Sequence, residues 1–320
     1  MSNNNQSESL ISPVKTVVMT VQNLNETRLF FEKGIGLKCI AEKETNVEEI
    51  GRIWGVEKGN FRVARFVRTD EKDFGCVDLV ENNQAEKSIR NGNRPFDYGI
   101  FTLNFRTNNL EKAITILTEL GAKTVSKPMT YNVGKPLHEV MFELPSGERL
   151  TILQLGEANE DLPVFSEPVA TFGLISPSMK NSLRFYQDAF GMNLAMTFQH
   201  TGSPFNELLG ISDEMSMGFA ALNSGNNWMG KVELLELKIT NQTPENTSEK
   251  ADFFHRGYSF LTFLTKDIEQ VKESCLENGA EIIVEPIEFN RPFHENKRAM
   301  VVRSPGGEYL EIIEGIFSNN

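Results

Sequence analysis

The stretch "TVVMTVQNLNETRLFFEKGIGLK", residues 16–38, returns in altered form as "TFGLISPSMKNSLRFYQDAFGMN", residues 171–193. Each opens with an apolar run suited to a strand and continues into an amphipathic segment. In the first, Leu24, Leu29, Phe30 and Phe31 pack inward, and Gly34 or Gly36 ends the helix. Phe31 matches Tyr186 and Gly36 matches Gly191 at an offset of 155, which also joins Asp78 in "CVDLVE" to Glu233 in "KVELLE". A second pair, "FTLNFRTNNLEKAITILTELGAK" from Phe101 and "SFLTFLTKDIEQVKESCLENGAE" from Ser259, aligns Gly121 with Gly279 at an offset of 158. Pro128 and Pro286 follow at the same offset. Finally, "LPSGERLTIL" matches "SPGGEYLEII" and sets Thr151 against Glu311, 160 residues on. A slowly drifting offset means a duplicated unit with small insertions.

Within each half, two related submodules follow one another: a strand, a capped turn, a helix, then three further strands. The pattern βαβββ occurs four times, which makes the chain α+β. The boundaries expected are a polar, disordered tail over residues 1–12, an N-terminal domain of two modules over 13–155, a linker over 156–168 and a C-terminal domain of two modules over 169–317. The linker reads "GEANEDLPVFSEP", acidic and proline-bearing. A second polar stretch, "TNQTPENTSEKAD" at residues 240–252, separates the third and fourth modules.

With 320 residues, 39% hydrophobic and 24% charged, the chain is globular and long enough for two domains. A net charge of −12 argues against nucleic acid or an anionic membrane surface as partner. No apolar run approaches the ~18 residues of a membrane span, and the first residues lack the basic and apolar regions of a signal peptide. Cys39, Cys76 and Cys275 are an odd number at wide spacing, which fits reduced thiols and a cytoplasmic location. The partner left is a small molecule, and the oligomeric state is open between monomer and homodimer.

Openings such as "GLISPSMKNSLRFYQDAFGM" and closings such as "SPGGEYLEII", four modules over residues 13–317, resemble the vicinal oxygen chelate superfamily. It includes glyoxalase I, extradiol ring-cleaving dioxygenases, and bleomycin- and fosfomycin-resistance proteins. The resemblance implies two eight-stranded, cup-like half-barrels made from paired modules, modules one and two in one cup and three and four in the other. A metal sits inside such a cup, held from the start of each first strand and from the acid of each last strand. The first-strand positions are Thr16, Thr102, Thr171 and Phe260, and the last-strand positions are Asp78, Thr151, Glu233 and Glu311. The family's usual first-strand ligand is His or Gln, and this chain has neither there. A Thr hydroxyl is a poor ligand for a transition metal, so no stoichiometric iron or zinc is expected. Either there is no cofactor, or Glu233 and Glu311 share a weakly held divalent cation with waters.

In "RSPGGEYLEII", residues 303–313, Tyr309, Glu311 and Ile313 share one strand face while Leu310 and Ile312 take the other. An unpaired buried carboxylate costs several kcal/mol, roughly, so Glu311 needs a partner or exposure. On one reading it faces Glu233 inside the C-terminal cup, and the pair does acid–base chemistry because close carboxylates cannot both ionise cheaply. Its replacement then leaves stability within about 1 kcal/mol. On the other reading the acids are tied to Arg or Lys. His294, in "NRPFHENKRAMVV", matches the loop that carries a second-shell acid–base His in ring-cleaving dioxygenases; the alternative is a surface His. His138 is its N-terminal counterpart, His200 rims the C-terminal cup, and His255 has the wrong parity for the cup face. The 23 Phe suggest a greasy cavity, with Thr171, Phe260 and Trp228 as substrate contacts and Trp54 in the matching N-terminal loop. Two functions follow: a glyoxalase- or dioxygenase-type enzyme acting on a small hydrophobic or aromatic molecule in the C-terminal cup, or a metal-free, resistance-type binding protein without turnover.

Overall fold

The computed structural model describes residues 9–70, 74–90, 94–132, 134–211, 215–238 and 243–317. Each module starts with a strand and a capped helix. The first strands are Thr16–Val21, Gly99–Arg106, Val169–Ile175 and His255–Thr265. Helices follow at Leu24–Leu29, Leu110–Glu119, Met179–Arg184 and Ile268–Glu277, the first and third widening into π-turns over Phe30–Ile35 and Phe185–Ala189. Asn23, Asn109, Ser178 and Asp267 each accept backbone N–H groups of the first turn, which is why the chain turns helical there. Gly36 and Gly191 close the two π-turns at φ of 76° and 69°, left-handed values that cost glycine nothing. The repeat is therefore present in the backbone.

The four modules form two curled sheets, but not in the expected pairs. One sheet joins module four to module one, and the other joins module three to module two. In each, the seam is an antiparallel pair of first strands: Thr16 lies opposite Thr262, and Thr171 opposite Asn104. Modules one and two therefore share no cup, and neither do three and four. Every first strand carries the same hydrogen-bonding edge and a similar apolar pattern, so nothing local states which edge it pairs with. The register also corrects two positions. The residues opposite Thr16 and Thr171 are Thr262 and Asn104, not Phe260 and Thr102; residues two apart share a face, so parity alone does not separate them.

The N-terminal segment is ordered from Ser9 onward, against expectation; residues 1–8 lie outside the described residues. Ile11 is buried and bridges Thr265, and the Ser12 N–H donates to the Leu264 carbonyl at 2.8 Å. Two hydroxyl-bearing residues and one isoleucine in register with module four's first strand outweigh the polar composition. The stretch over 156–168 packs as well, with Phe165 buried and the Asn108 N–H bonded to the Val164 carbonyl at 2.8 Å.

The helices and the convex faces of both sheets share one core. It contains Val17, Leu79, Leu310 and Ile312 from one sheet, Leu103, Phe105, Phe172 and Val232 from the other, and Phe31, Leu117, Phe185 and Cys275 from the helices. The concave faces hold two separate apolar clusters. Cup one, from modules one and four, contains Val18, Trp54, Phe61, Phe253, Phe260 and Phe289. Cup two, from modules two and three, contains Phe101, Met141, Ile175, Met217 and Leu235. Strand alternation thus sends Leu310 and Ile312 to the shared core and Glu311 into cup one.

Because each seam joins first strands from opposite halves of the chain, the halves are not independent folding units. A protease site placed in the exposed stretch 157–162 should give a nicked protein whose two pieces elute together on size exclusion under native conditions. Residues 1–160 expressed alone should lack slowly exchanging amides. An isolated half with native-like protection would overturn the pairing.

Candidate functional site

Cup one is closed by charge. Glu311 and Asp78 are both fully buried. Arg291 lies between them: its Nε and Nη2 donate to Glu311 at 3.0 and 2.6 Å, and its Nη1 donates to Asp78 at 3.1 Å. Arg65 holds Asp78 in a two-pronged pair, both contacts 2.7 Å. Glu311 also accepts from Trp54 Nε1 at 3.1 Å and from the Thr262 hydroxyl at 2.7 Å. Two acids meet two guanidiniums, and the charges cancel. Burial pushes the Asp78 pKa up, but Arg65 and Arg291 outweigh it and hold it below the ordinary carboxylate value. His294 is buried beside them, and its Nε2 accepts from Arg65 Nη2 at 2.8 Å, since a guanidinium only donates. Burial and then the charges of Arg291 and Arg65 depress its pKa well below the usual histidine range, so it stays neutral. Above this network Trp54 stacks on Phe253 at 4.5 Å, Phe253 on Phe260 at 5.6 Å, and Phe260 on Tyr309 at 5.7 Å.

Cup two has acids and no such compensation. Glu233 and Glu139 point inward from module three's last strand, Lys231–Lys238, and module two's strand Pro136–Glu143. Neither makes an ion pair among the described residues. Asn104 Nδ2 donates both to Glu233 and to the Thr171 hydroxyl, the latter at 2.7 Å. The Thr102 and Thr151 hydroxyls bond each other at 3.1 Å. The Tyr131 hydroxyl donates to Glu139. Burial lifts Glu233 to about 7 against the pull of Thr171, Lys231, Arg106 and Asn104. Burial likewise lifts Glu139 to about 7; the Tyr131 bond opposes this and the charge of Glu233 adds to it. At neutral pH the pair can hold one proton and lack one, which is the state a general acid and base require. Partly exposed aromatics form the wall: Phe205 sits against Tyr131 at 4.7 Å, and Phe198 stacks on Phe219 at 4.8 Å.

The expected site residues are thus divided between two cups. Glu311, His294 and Phe260 lie in cup one and Glu233 and Thr171 in cup two, so Glu311 and Glu233 do not face each other. Of the two readings of Glu311, the structure shows the one tied to arginine. Trp54 is buried at the end of the helix Val47–Trp54 rather than in a rim loop. Trp228 is 66% exposed, with Lys231 Nζ 4.0 Å from its ring centre. His138 bonds Thr130 at 2.9 Å, His200 bonds the Ser203 carbonyl at 2.9 Å, and His255 bonds Asp252 at 2.8 Å. Sequence reasoning missed Arg65, Arg291, Asn104, Glu139 and Tyr131. Parity could have found two: Asn104 shares a face with Thr102, and Glu139 in "PLHEVMFEL" shares one with the buried Met141, whereas His138 does not.

Two comparisons place this architecture. Residues 169–312 match the family model described as the Glyoxalase/Bleomycin resistance protein/Dioxygenase superfamily. Over residues 169–312 the chain therefore carries the sequence pattern of that superfamily, in line with the resemblance to the vicinal oxygen chelate proteins. Its fold matches glyoxalase I from Zea mays with a TM-score of 0.65 at 17% identity, covering 95% of this chain and 92% of that one. It also matches a putative dioxygenase from Bacillus subtilis subsp. subtilis str. 168 with a TM-score of 0.63 at 12% identity, covering 98% and 87%. At these identities the likeness is one of fold. No curated protein matches the sequence.

The metal that this superfamily's cups carry does not fit either donor set. In cup one Arg291 already bridges the two acids, and a cation between them would meet a guanidinium. In cup two the matching positions are Thr171, Asn104, Thr151 and Glu233, one carboxylate among hydroxyls and an amide whose N–H is turned toward that carboxylate. No cluster of three or more His, Cys, Asp or Glu able to hold a metal occurs among the described residues.

Two measurements check this division. Replacing Glu311 by Gln strands part of a buried guanidinium, and breaking such a pair costs on the order of 3–5 kcal/mol; chemical unfolding of Glu311→Gln should show a loss of that size. A loss under about 1 kcal/mol would restore the ligand role expected from sequence. In cup two the sign is opposite. A carboxyl raised from 4.5 to about 7 keeps its proton in the fold while the unfolded chain has lost it. Its favourable contribution is complete below pH 4.5 and is lost as pH rises through 7, roughly 3 kcal/mol per group at most. Glu139→Gln and Glu233→Gln should therefore gain stability relative to wild type between pH 5 and pH 8, as followed by urea unfolding.

Proposed function

We propose that cup two handles a small, hydrophobic or aromatic organic molecule and moves a proton on it, with Glu233 and Glu139 as the acid–base pair. The observation that carries this is the pair itself: two inward carboxylates, in no ion pair among the described residues and lifted to about 7, in an aromatic-walled cup. Glu233 is held by Asn104 and Thr171, and Glu139 by Tyr131, so each carboxyl has a fixed direction. In the ionised form one accepts a proton from an activated C–H or O–H, and the neutral partner returns a proton elsewhere on the ligand. Atoms balance without a further reactant, so the reaction class is an isomerisation or elimination. Thr171 and Trp228 serve as ligand contacts. Glu311, His294 and Phe260 support the fold of cup one.

A second reading is a binding protein without turnover, the resistance-type role. It is favoured by the hydrogen bonds that already engage Glu233. In either role the protein works as a cytoplasmic, small-molecule protein; among the described residues no helix is long and apolar enough to cross a membrane.

The test is proton exchange. Aromatic carbonyl compounds with an acidic C–H, incubated with the protein in deuterated buffer, should take up deuterium on a bell-shaped pH profile centred near 7. Glu233→Gln and Glu139→Gln should slow uptake by about 10²–10⁴-fold. Tight ligand binding with no uptake in the wild type would favour the binding reading. Uptake unchanged in both variants would remove the acid pair from the chemistry.

A further inference from the structure

Two positively charged side chains lie near Glu233. Lys231 shares the inward face of its strand with Glu233, and Arg106 lies two residues beyond Asn104 at the end of module two's first strand. Both cations converge on Trp228: Lys231 Nζ is 4.0 Å and the Arg106 guanidinium carbon 5.9 Å from its ring centre. Lys231 is largely buried yet makes no ion pair or hydrogen bond among the described residues. Among the described residues Arg106 makes one ion pair, with Glu167 at 3.7 Å. Two like charges packed on one aromatic ring repel each other, and burial together with Arg106 lowers the Lys231 pKa against the pull of Glu233. The nearby acids do not close on them: Glu233 acts on Lys231 and Arg106 only at a distance, and Glu167 stands 3.7 Å from Arg106. Such an arrangement is stabilised by an arriving anion, which gains charge-assisted hydrogen bonds from both groups at once.

We infer that Arg106, Lys231 and Trp228 form an oxyanion subsite at the mouth of cup two, and that the ligand of this cup carries a carboxylate or phosphate group. The inference rests on the reading of cup two as the ligand cup and extends it to a substrate class: a small amphipathic acid. Its anionic end sits on Arg106 and Lys231. Its apolar body lies along the aromatic wall of Phe198, Phe205 and Phe219, and the group between them faces Glu233. The negative face of Trp228 holds the two cations beside the bound anion.

The chain has two tryptophans, and the other, Trp54, is buried in cup one, so indole fluorescence reports this mouth directly. Inorganic phosphate and benzoate are titrated separately at constant ionic strength, with chloride as the control. Saturable quenching by one or both oxyanions and none by chloride is expected, and the arm that binds more tightly names the anion. Lys231→Met and Arg106→Gln should each weaken that binding at least tenfold, with unchanged circular dichroism, and Trp228→Phe should abolish the signal. Glu233→Gln should retain the binding although proton exchange is lost. No saturable response to either oxyanion, or equal affinity in the Lys231→Met/Arg106→Gln double variant, overturns the subsite. Oxyanion binding with no proton exchange in wild type would instead overturn only the acid–base reading.

Discussion

One guanidinium decides how this molecule uses its two cups. Arg291 stands between Asp78 and Glu311, the inward acids of the last strands of modules one and four, and no part of it reaches solvent. Two carboxylates brought together in a closed space need a cation, because their mutual repulsion and lost hydration cost far more than a fold's margin of stability. A side chain of the same chain supplies it. Arg65 adds the second charge, Thr262 and Trp54 occupy further lone pairs of Glu311, and neutral His294 caps Arg65. The network ties the strands of modules one and four together across the seam.

Cup two is built from the same modules with the opposite balance. Glu233 occupies the position equivalent to Asp78, but Ala221 stands opposite it in module three's middle strand, where module one sets Arg65 opposite Asp78, and among the described residues no guanidinium pairs with Glu233. The stabilisation that pairing gives Asp78 is absent, and burial is answered by proton uptake instead. Local rules of charge satisfaction are broken in cup two and obeyed in cup one. Such breaks mark working sites more often than structural ones, since a fold has no other reason to carry the cost.

Much of the fold was legible because its signals are local. Helix caps at Asn23 and Asp267, left-handed glycines at Gly36 and Gly191, and the alternation of Leu310, Glu311 and Ile312 are each set within a few residues. Module pairing was not legible. It depends on which first-strand edges meet, and residues 16 and 262 are far apart in the chain with interchangeable patterns. In the site, inward acids could be read by parity, and Glu233 and Glu311 were. Their partners could not, because Arg291 acts from a strand whose register shifts repeatedly against its neighbour, so period two fails along it.

An inward acid is therefore an ambiguous sign in this architecture, and the cation inventory of the same cup resolves it. Where an arginine can reach, the acid becomes part of the core and its protonation is pinned far from neutrality, as at Asp78. Where none pairs with it, burial lifts the acid to about 7, as at Glu233 and Glu139. Arg106 and Lys231 are near enough to lower Glu233 somewhat, yet neither bonds it, so the carboxyl keeps its raised pKa. Moving either charge one turn of pleat inward would turn cup two into a second cup one.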